Sequence, residues 1–181
     1  MSTARVTALT SLAMIAFAGN SLLCRIALKH TNIDAASFTT IRLLSGAVIL
    51  CLIVAIRSDK ISGQGNWPSA FALFTYAAGF SFAYVSLPTA TGALLLFGAV
   101  QATMITYGLA TGERLQKLQL FGLALAFGGL IGLLLPGLSA PPLHGSLLML
   151  AAGAAWGVYS LRGSSRDSLR DKGAGDPTGV T

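Results

Sequence analysis

Six runs of apolar residues divide the chain: roughly Val6–Leu28, Ala35–Ile56, Pro68–Leu87, Ala90–Ala110, Leu118–Leu135 and Gly145–Leu161. Each is about 17–23 residues long. At 1.5 Å rise per residue that length crosses a hydrocarbon core about 30 Å thick, with little to spare for the shorter runs. Apolar and polar residues do not alternate within them, so barrel strands are excluded and helix is the spanning structure left. The breaks between runs are short and polar or carry Pro, and residues 162–181 form a polar tail. The pattern predicts an all-α, polytopic bundle of about six transmembrane helices.

Composition sharpens this picture. Hydrophobic residues make up 54% of the 181 and charged residues 10%, against about 25% charged in a soluble domain. Such a chain cannot cover a water-facing surface, and it is too apolar for a disordered one. Glycine, at 21 residues, suits membrane helices better than soluble ones. The net charge of +6 would suggest nucleic acid in a soluble protein. Here the basic residues lie between apolar runs, where they orient spans, and no nucleic-acid partner is expected. Arg5, Arg57, Lys60, Arg114, Lys117, Arg162, Arg166, Arg170 and Lys172 fall on one side of the expected bilayer, and Arg25, Lys29 and Arg42 on the other. The excess of basic residues on the cytoplasmic side predicts both termini inside. Ala16-Phe17-Ala18 resembles a signal-peptidase site, but cleavage there would leave an odd number of spans and weaken the charge bias.

Candidate chemistry is sparse. No CxxC, HExxH, P-loop or GxSxG pattern occurs, so neither an enzyme nor a cofactor or metal site is expected. Cys24 and Cys51 fall inside different spans at different depths and read as small packing residues. Asn20 and Gln101 sit within spans, where an amide faces another helix or a wet cavity. Arg42 lies about seven residues into the second span; it either snorkels to the interface or presents a fixed positive charge to an anionic or zwitterionic substrate. Tyr76, Phe80 and Tyr84 share one face of the third span by their four-residue spacing, as packing or as a cavity wall. Trp156 and Tyr159 share a face of the sixth, as cavity wall or interface belt. Ala124, Gly128 and Gly132 make a small-residue stripe on the fifth span that admits another helix closely. Glu113 reads as a solvated loop residue beside Arg114. No carboxylate lies in any apolar run, so binding of lipophilic cations by a buried acid is not expected.

Several segments resemble the EamA-like members of the drug/metabolite transporter superfamily. They are Phe17-Ala18-Gly19-Asn20, Thr40-Ile41-Arg42-Leu43-Leu44, Ser86-Leu87-Pro88, Gly112-Glu113-Arg114-Leu115, Leu120-Phe121-Gly122, Phe127-Gly128-Gly129-Leu130-Ile131-Gly132 and Ala155-Trp156-Gly157-Val158-Tyr159-Ser160. The resemblance implies half of a ten-helix inverted-repeat carrier with a cavity at the repeat interface. On that basis residues 1–137 form a first five-helix repeat, 138–162 the first helix of an incomplete second repeat, and 163–181 a polar, disordered cytoplasmic tail. The chain stops about where a seventh span should begin. Two internal offsets, 135 and 139, align the first and sixth spans about equally well, and the family pattern favours the second. Departures are the long stretch Ser164–Lys172 and the absence of a helix-bending Pro near Val100-Gln101.

The expected function is an inner-membrane permease moving a small metabolite, such as an amino acid or another zwitterionic or anionic compound, by alternating access. Its partners would be the bilayer, a small-molecule substrate, and a second copy or second transporter half. The alternative is a transport-inactive remnant, or a membrane adaptor that binds another membrane protein through the glycine face of the fifth span.

Overall fold

The computed structural model describes residues 2–57, 66–134 and 141–174. Past Ile56, Gly129 and Ser164 in their helices only the backbone is described. Among the described residues the chain is all helix: α1 (Thr3–His30), α2 (Ala35–Arg57), α3 (Trp67–Ser86), α4 (Thr89–Ala110), α5 (Lys117–Leu134) and α6 (Leu143–Ala174). The six helices match the six apolar runs. By length and composition α1 to α4 can each cross a membrane, and α5 contributes a shorter apolar stretch, Lys117–Gly129. This is a polytopic helical membrane protein.

Local sequence sets the helix ends. Asp34 Oδ2 accepts from the Ser37 amide at 2.9 Å and starts α2, and Asn66 Oδ1 accepts from the Ser69 amide at 2.8 Å and starts α3, followed by Pro68. Gln119 Oε1 reaches back to the Gln116 amide at the start of α5, the returning half of a capping box. The end of α4 depends on Gly112, whose φ of +93° is a left-handed conformation that costs a side chain dearly. With it in place the Glu113 amide bonds the Gly108 carbonyl at 2.9 Å and the Gly112 amide bonds that of Leu109 at 3.1 Å. That pair of bonds is a Schellman stop, so the glycine of the Gly-Glu-Arg motif is structural.

α6 holds the bundle together. It packs most extensively against α3 and α4, which touch each other little. Gly145 meets Ser86 and Leu87 at the end of α3, and Gly79 of α3 faces the Leu148 carbonyl and Ala152, so these two helices are antiparallel. Gly92 of α4 lies beside Met149, Gly153 beside Leu96 and Ala99, and Gly157 beside Val100 and Thr103, so α4 and α6 are parallel. Within lipid, helices associate through close packing of small residues rather than hydrophobic exclusion. The spacing Gly145, Met149, Gly153, Gly157 supplies one such face. Around it Phe80, Ala83, Tyr84, Leu87, Met149 and Ala152 are fully buried. The sixth helix is therefore the central element of the described bundle rather than an appendage to five others. It also runs past Leu161 to Ala174, so the stretch expected to be unstructured is helical over 163–174. No Pro or Gly falls between Ser164 and Lys172 to stop it. Residues 175–181, and the loop positions Lys60, Pro136 and Gly137, lie outside the described residues.

α1, α2 and α5 are attached more lightly. α1 lies across α3 and α4, and α2 packs on α3. One strong tie fixes α1: Arg25 Nη1 donates to the carbonyls of Tyr84 at 2.5 Å and Val85 at 2.9 Å. These belong to the last turn of α3, where carbonyls lack intrahelical partners and a cation is favoured.

Candidate functional site

Four helices converge on a cavity of about 440 Å³ lined by Ala13, Ala16, Phe17 and Asn20 of α1, Arg42 of α2, Tyr76 of α3 and Trp156 of α6. The α1 residues recur at helical spacing, so one face of that helix supplies a whole wall. Arg42 is brought there by the packing of α2 on α3. Its Nη2 donates to the Tyr76 hydroxyl at 3.0 Å. Its guanidinium carbon lies 5.3 Å from the Tyr76 ring centroid and 4.8 Å from that of Phe80, within cation–π range. Arg42 thus rests on an aromatic shelf formed by Tyr76 and Phe80. Its Nη1 is buried and has no hydrogen-bond partner among the described residues. An orphaned charged donor costs about 1–3 kcal/mol or more.

Aromatic rings fix the cavity wall. Trp156 lies 4.7 Å from Tyr76 between ring centroids and 6.4 Å, edge-on, from Phe17, and it stacks on Tyr159 at 5.6 Å. Phe17 in turn meets Phe97 of α4 edge-on at 6.2 Å. Offset and edge-to-face contacts of this kind hold rings in defined orientations. The chain of rings continues from Tyr76 through Phe80 to Tyr84.

The structure sorts the residues singled out from the sequence. Asn20, Arg42, Tyr76 and Trp156 come together at the cavity, with Tyr159 behind Trp156. Tyr84 does not reach it. Tyr84 is fully buried against Gly92, and its hydroxyl donates to the Thr89 carbonyl at 3.3 Å, which braces the α3–α4 turn. Gln101 is exposed on a separate, mainly apolar groove of about 460 Å³ between α4 and α5. Ala124 and Gly128 are exposed, and a Cβ placed on Gly128 would meet nothing within 4 Å. The surroundings of Gly132 lie outside the described residues. Sequence reasoning missed Ala13, Ala16 and Phe17 at the site. Helical spacing back from Asn20 would have found all three.

The cavity can therefore hold a small solute beside a fixed cation, two further polar groups (the Asn20 amide and the Tyr76 hydroxyl) and a rigid aromatic wall. Among the described residues no cluster of metal-ligating side chains occurs.

The sequence profile of the EamA-like transporter family matches residues 6–135. An uncharacterized protein of Pseudomonas aeruginosa is 56% identical over 178 residues, which cover 98% of this chain and 59% of that protein. A protein of Archaeoglobus fulgidus named as an uncharacterized transporter is 28% identical over 165 residues, covering 86% of this chain and 56% of that protein. The chain thus spans less than two thirds of the length of these curated relatives. No solved structure matches it.

Proposed function

This chain belongs to the EamA-like transporter family, and on that premise we propose that it moves a small anionic or zwitterionic metabolite, of the size of an amino acid, through the cavity at Arg42. One observation carries this reading: a guanidinium with an unpartnered, buried Nη1 on a four-helix cavity of about 440 Å³. A cation held there attracts carboxylates and repels ammonium compounds. The membrane is the inner membrane and both termini are cytoplasmic, as the placement of basic residues between the spans favours. Alternating access would come from α1 and α2 rocking on the α3–α4–α6 core, since they are the lightly packed walls of the cavity.

The test is flux in proteoliposomes. Purified chain is reconstituted, and uptake of labelled alanine, glutamate and succinate is compared with that of tetraphenylphosphonium. Uptake of at least one carboxylate, lost in Arg42→Gln, is the expected result. Uptake of the phosphonium ion, or carboxylate uptake indifferent to Arg42, overturns the reading.

A second reading rests on α5. Gly79 of α3, Gly92 of α4 and Gly145, Gly153 and Gly157 of α6 face neighbouring helices closely, whereas Cβ atoms on Gly122, Gly128 and Gly129 would meet nothing within 4 Å. This face suits a second copy or a second transporter half, and in the adaptor reading it is where another membrane protein would bind.

A further inference from the structure

We propose that the Arg42 cavity selects monocarboxylates with a flat, apolar body, and that Arg42 leaves its aromatic shelf to take them. The inference rests on the anion reading above and adds the shape of the ligand and the movement that admits it.

Start with the guanidinium. One prong, Nη2, is bonded to the Tyr76 hydroxyl at 3.0 Å, and the plane lies over Tyr76 and Phe80. The other prong, Nη1, is shielded from the cavity and has no acceptor. This resting position satisfies half of a planar fork that matches a carboxylate in two-pronged fashion. A carboxylate entering the cavity offers both acceptors at once. To reach it the guanidinium gives up one bond to a neutral hydroxyl and its ring contacts, and it gains two bonds to an anionic acceptor. A carboxamide or an ammonium group offers no such exchange. The freed Tyr76 hydroxyl remains at the cavity wall as a donor.

Now the body of the ligand. Trp156 is held by three rings, Phe17, Tyr76 and Tyr159. The same cavity is lined by Ala13 and Ala16, whose side chains are single methyl groups. An aromatic wall fixed in orientation and a wall of methyls together favour a flat apolar group over a branched or charged one. The volume of about 440 Å³ lies in the lower part of the about 300–1,000 Å³ range of small-molecule sites. That leaves room for one ring and a short acid arm.

The experiment uses the chain's own fluorescence. It has two tryptophans: Trp67, which is 90% exposed, and Trp156 on the cavity. In a Trp67→Phe background Trp156 reports alone. The purified chain in nanodiscs is titrated with phenylacetate, acetate, phenylacetamide and phenethylammonium. Phenylacetate is expected to shift Trp156 emission saturably and to bind about tenfold or more tightly than acetate. Phenylacetamide and phenethylammonium are expected to give no saturable change. Arg42→Lys, which keeps the charge and loses the fork, is expected to weaken phenylacetate at least about tenfold. Protection of the buried Cys24 thiol from maleimide shows that the variant is folded. Equal affinity for acetate and phenylacetate, both lost in Arg42→Gln, overturns the flat-body inference and leaves the anion reading standing. Phenylacetamide binding as tightly as phenylacetate overturns the carboxylate exchange. Binding of phenethylammonium in preference to every carboxylate overturns both.

Discussion

If α6 is the central element, the tightest of its contacts should be intolerant of a single methyl group. Gly153→Ala tests this. A Cβ at Gly153 would lie 2.5 Å from the Leu96 carbonyl oxygen and 2.6 Å from the Ala99 Cβ. Carbon approaches a carbonyl oxygen comfortably at about 3.3–3.6 Å and another carbon at about 3.5–4.0 Å. The Leu96 oxygen belongs to backbone and cannot turn aside, so α6 must retreat from α4 by about 1 Å. A gap of 0.5–1 Å forfeits a quarter to a half of the dispersion energy of each contact it opens. Overpacking costs of about 1–3 kcal/mol then exceed the gain of about 0.5–1 kcal/mol that Ala brings as a better helix former. Each 1.4 kcal/mol is about tenfold in the folding equilibrium, so the net loss is roughly 3- to 30-fold. Gly128→Ala is the matched control: nothing lies within 4 Å of its Cβ, and only the helix gain remains. The buried Cys24 thiol, 1% exposed, reports unfolding through maleimide labelling on a thermal ramp in a Cys51→Ser background. Gly153→Ala should label at lower temperature than the parent, and Gly128→Ala at the same temperature or higher. Equal labelling of Gly153→Ala and parent would refute the close approach of α4 and α6.

Arg25→Ala removes the two bonds that tie α1 to the end of α3, and should cost about 1.5–3 kcal/mol; Arg25→Lys, with one compact ammonium, should recover part of it in the same labelling assay. The Asp34 carboxylate is held below its ordinary value by hydrogen bonding to the Ser37 side chain first, then by the Ser37 amide. Its cap is therefore fully present above the unfolded value and lost as pH falls through the folded one. Hydrogen exchange at the Ser37 amide, corrected for intrinsic rate, should lose protection only on that acid limb, and protection unchanged through it would contradict the cap. In a Cys51→Ser background in native membranes, Gly128→Cys should crosslink between copies or to a partner helix, whereas the native buried Cys24 alone should not; equal behaviour of the two would remove the case for a partner on α5.

Much of the fold was legible because lipid imposes one rule. Every spanning backbone must satisfy itself as helix, so the apolar runs predict all six elements, with ends within a few residues except that α6 runs on past Leu161 to Ala174. What length and hydropathy do not encode is which helix sits in the middle. α6 is less apolar than its neighbours because of the charged stretch after Leu161, and it carries Gly and Ala where α3 and α4 approach it. The Gly153–Gly157 spacing signals this as plainly as Gly128–Gly132 does on α5, where the described glycines meet nothing among the described residues. The site was half legible. Arg42 and Asn20 stand out as costly polar residues in spans, and Tyr76 and Trp156 as aromatics on helical faces. Tyr84 looked equivalent to Tyr76 by spacing, yet Gly92 beside it opens a seat for its ring and takes it out of the cavity. Whether a stripe faces a cavity or a glycine depends on the partner helix, which one helix's periodicity does not contain.

The central position of α6 also sets a timetable. α4 ends at Ala110 and α6 begins at Leu143, an interval of a few seconds at about 5–20 residues synthesised per second. During that time α3 and α4 stand in the bilayer with small-residue notches at Gly79 and Ala99 and no helix to fill them. Lipid tails, or the insertion machinery itself, must occupy that slot until α6 arrives. The nascent chain is thus most open to misassembly or proteolysis just before α6 emerges. Substitutions along the slot should lower the amount of protein that accumulates in the membrane more than they lower the stability of the molecules that finish folding.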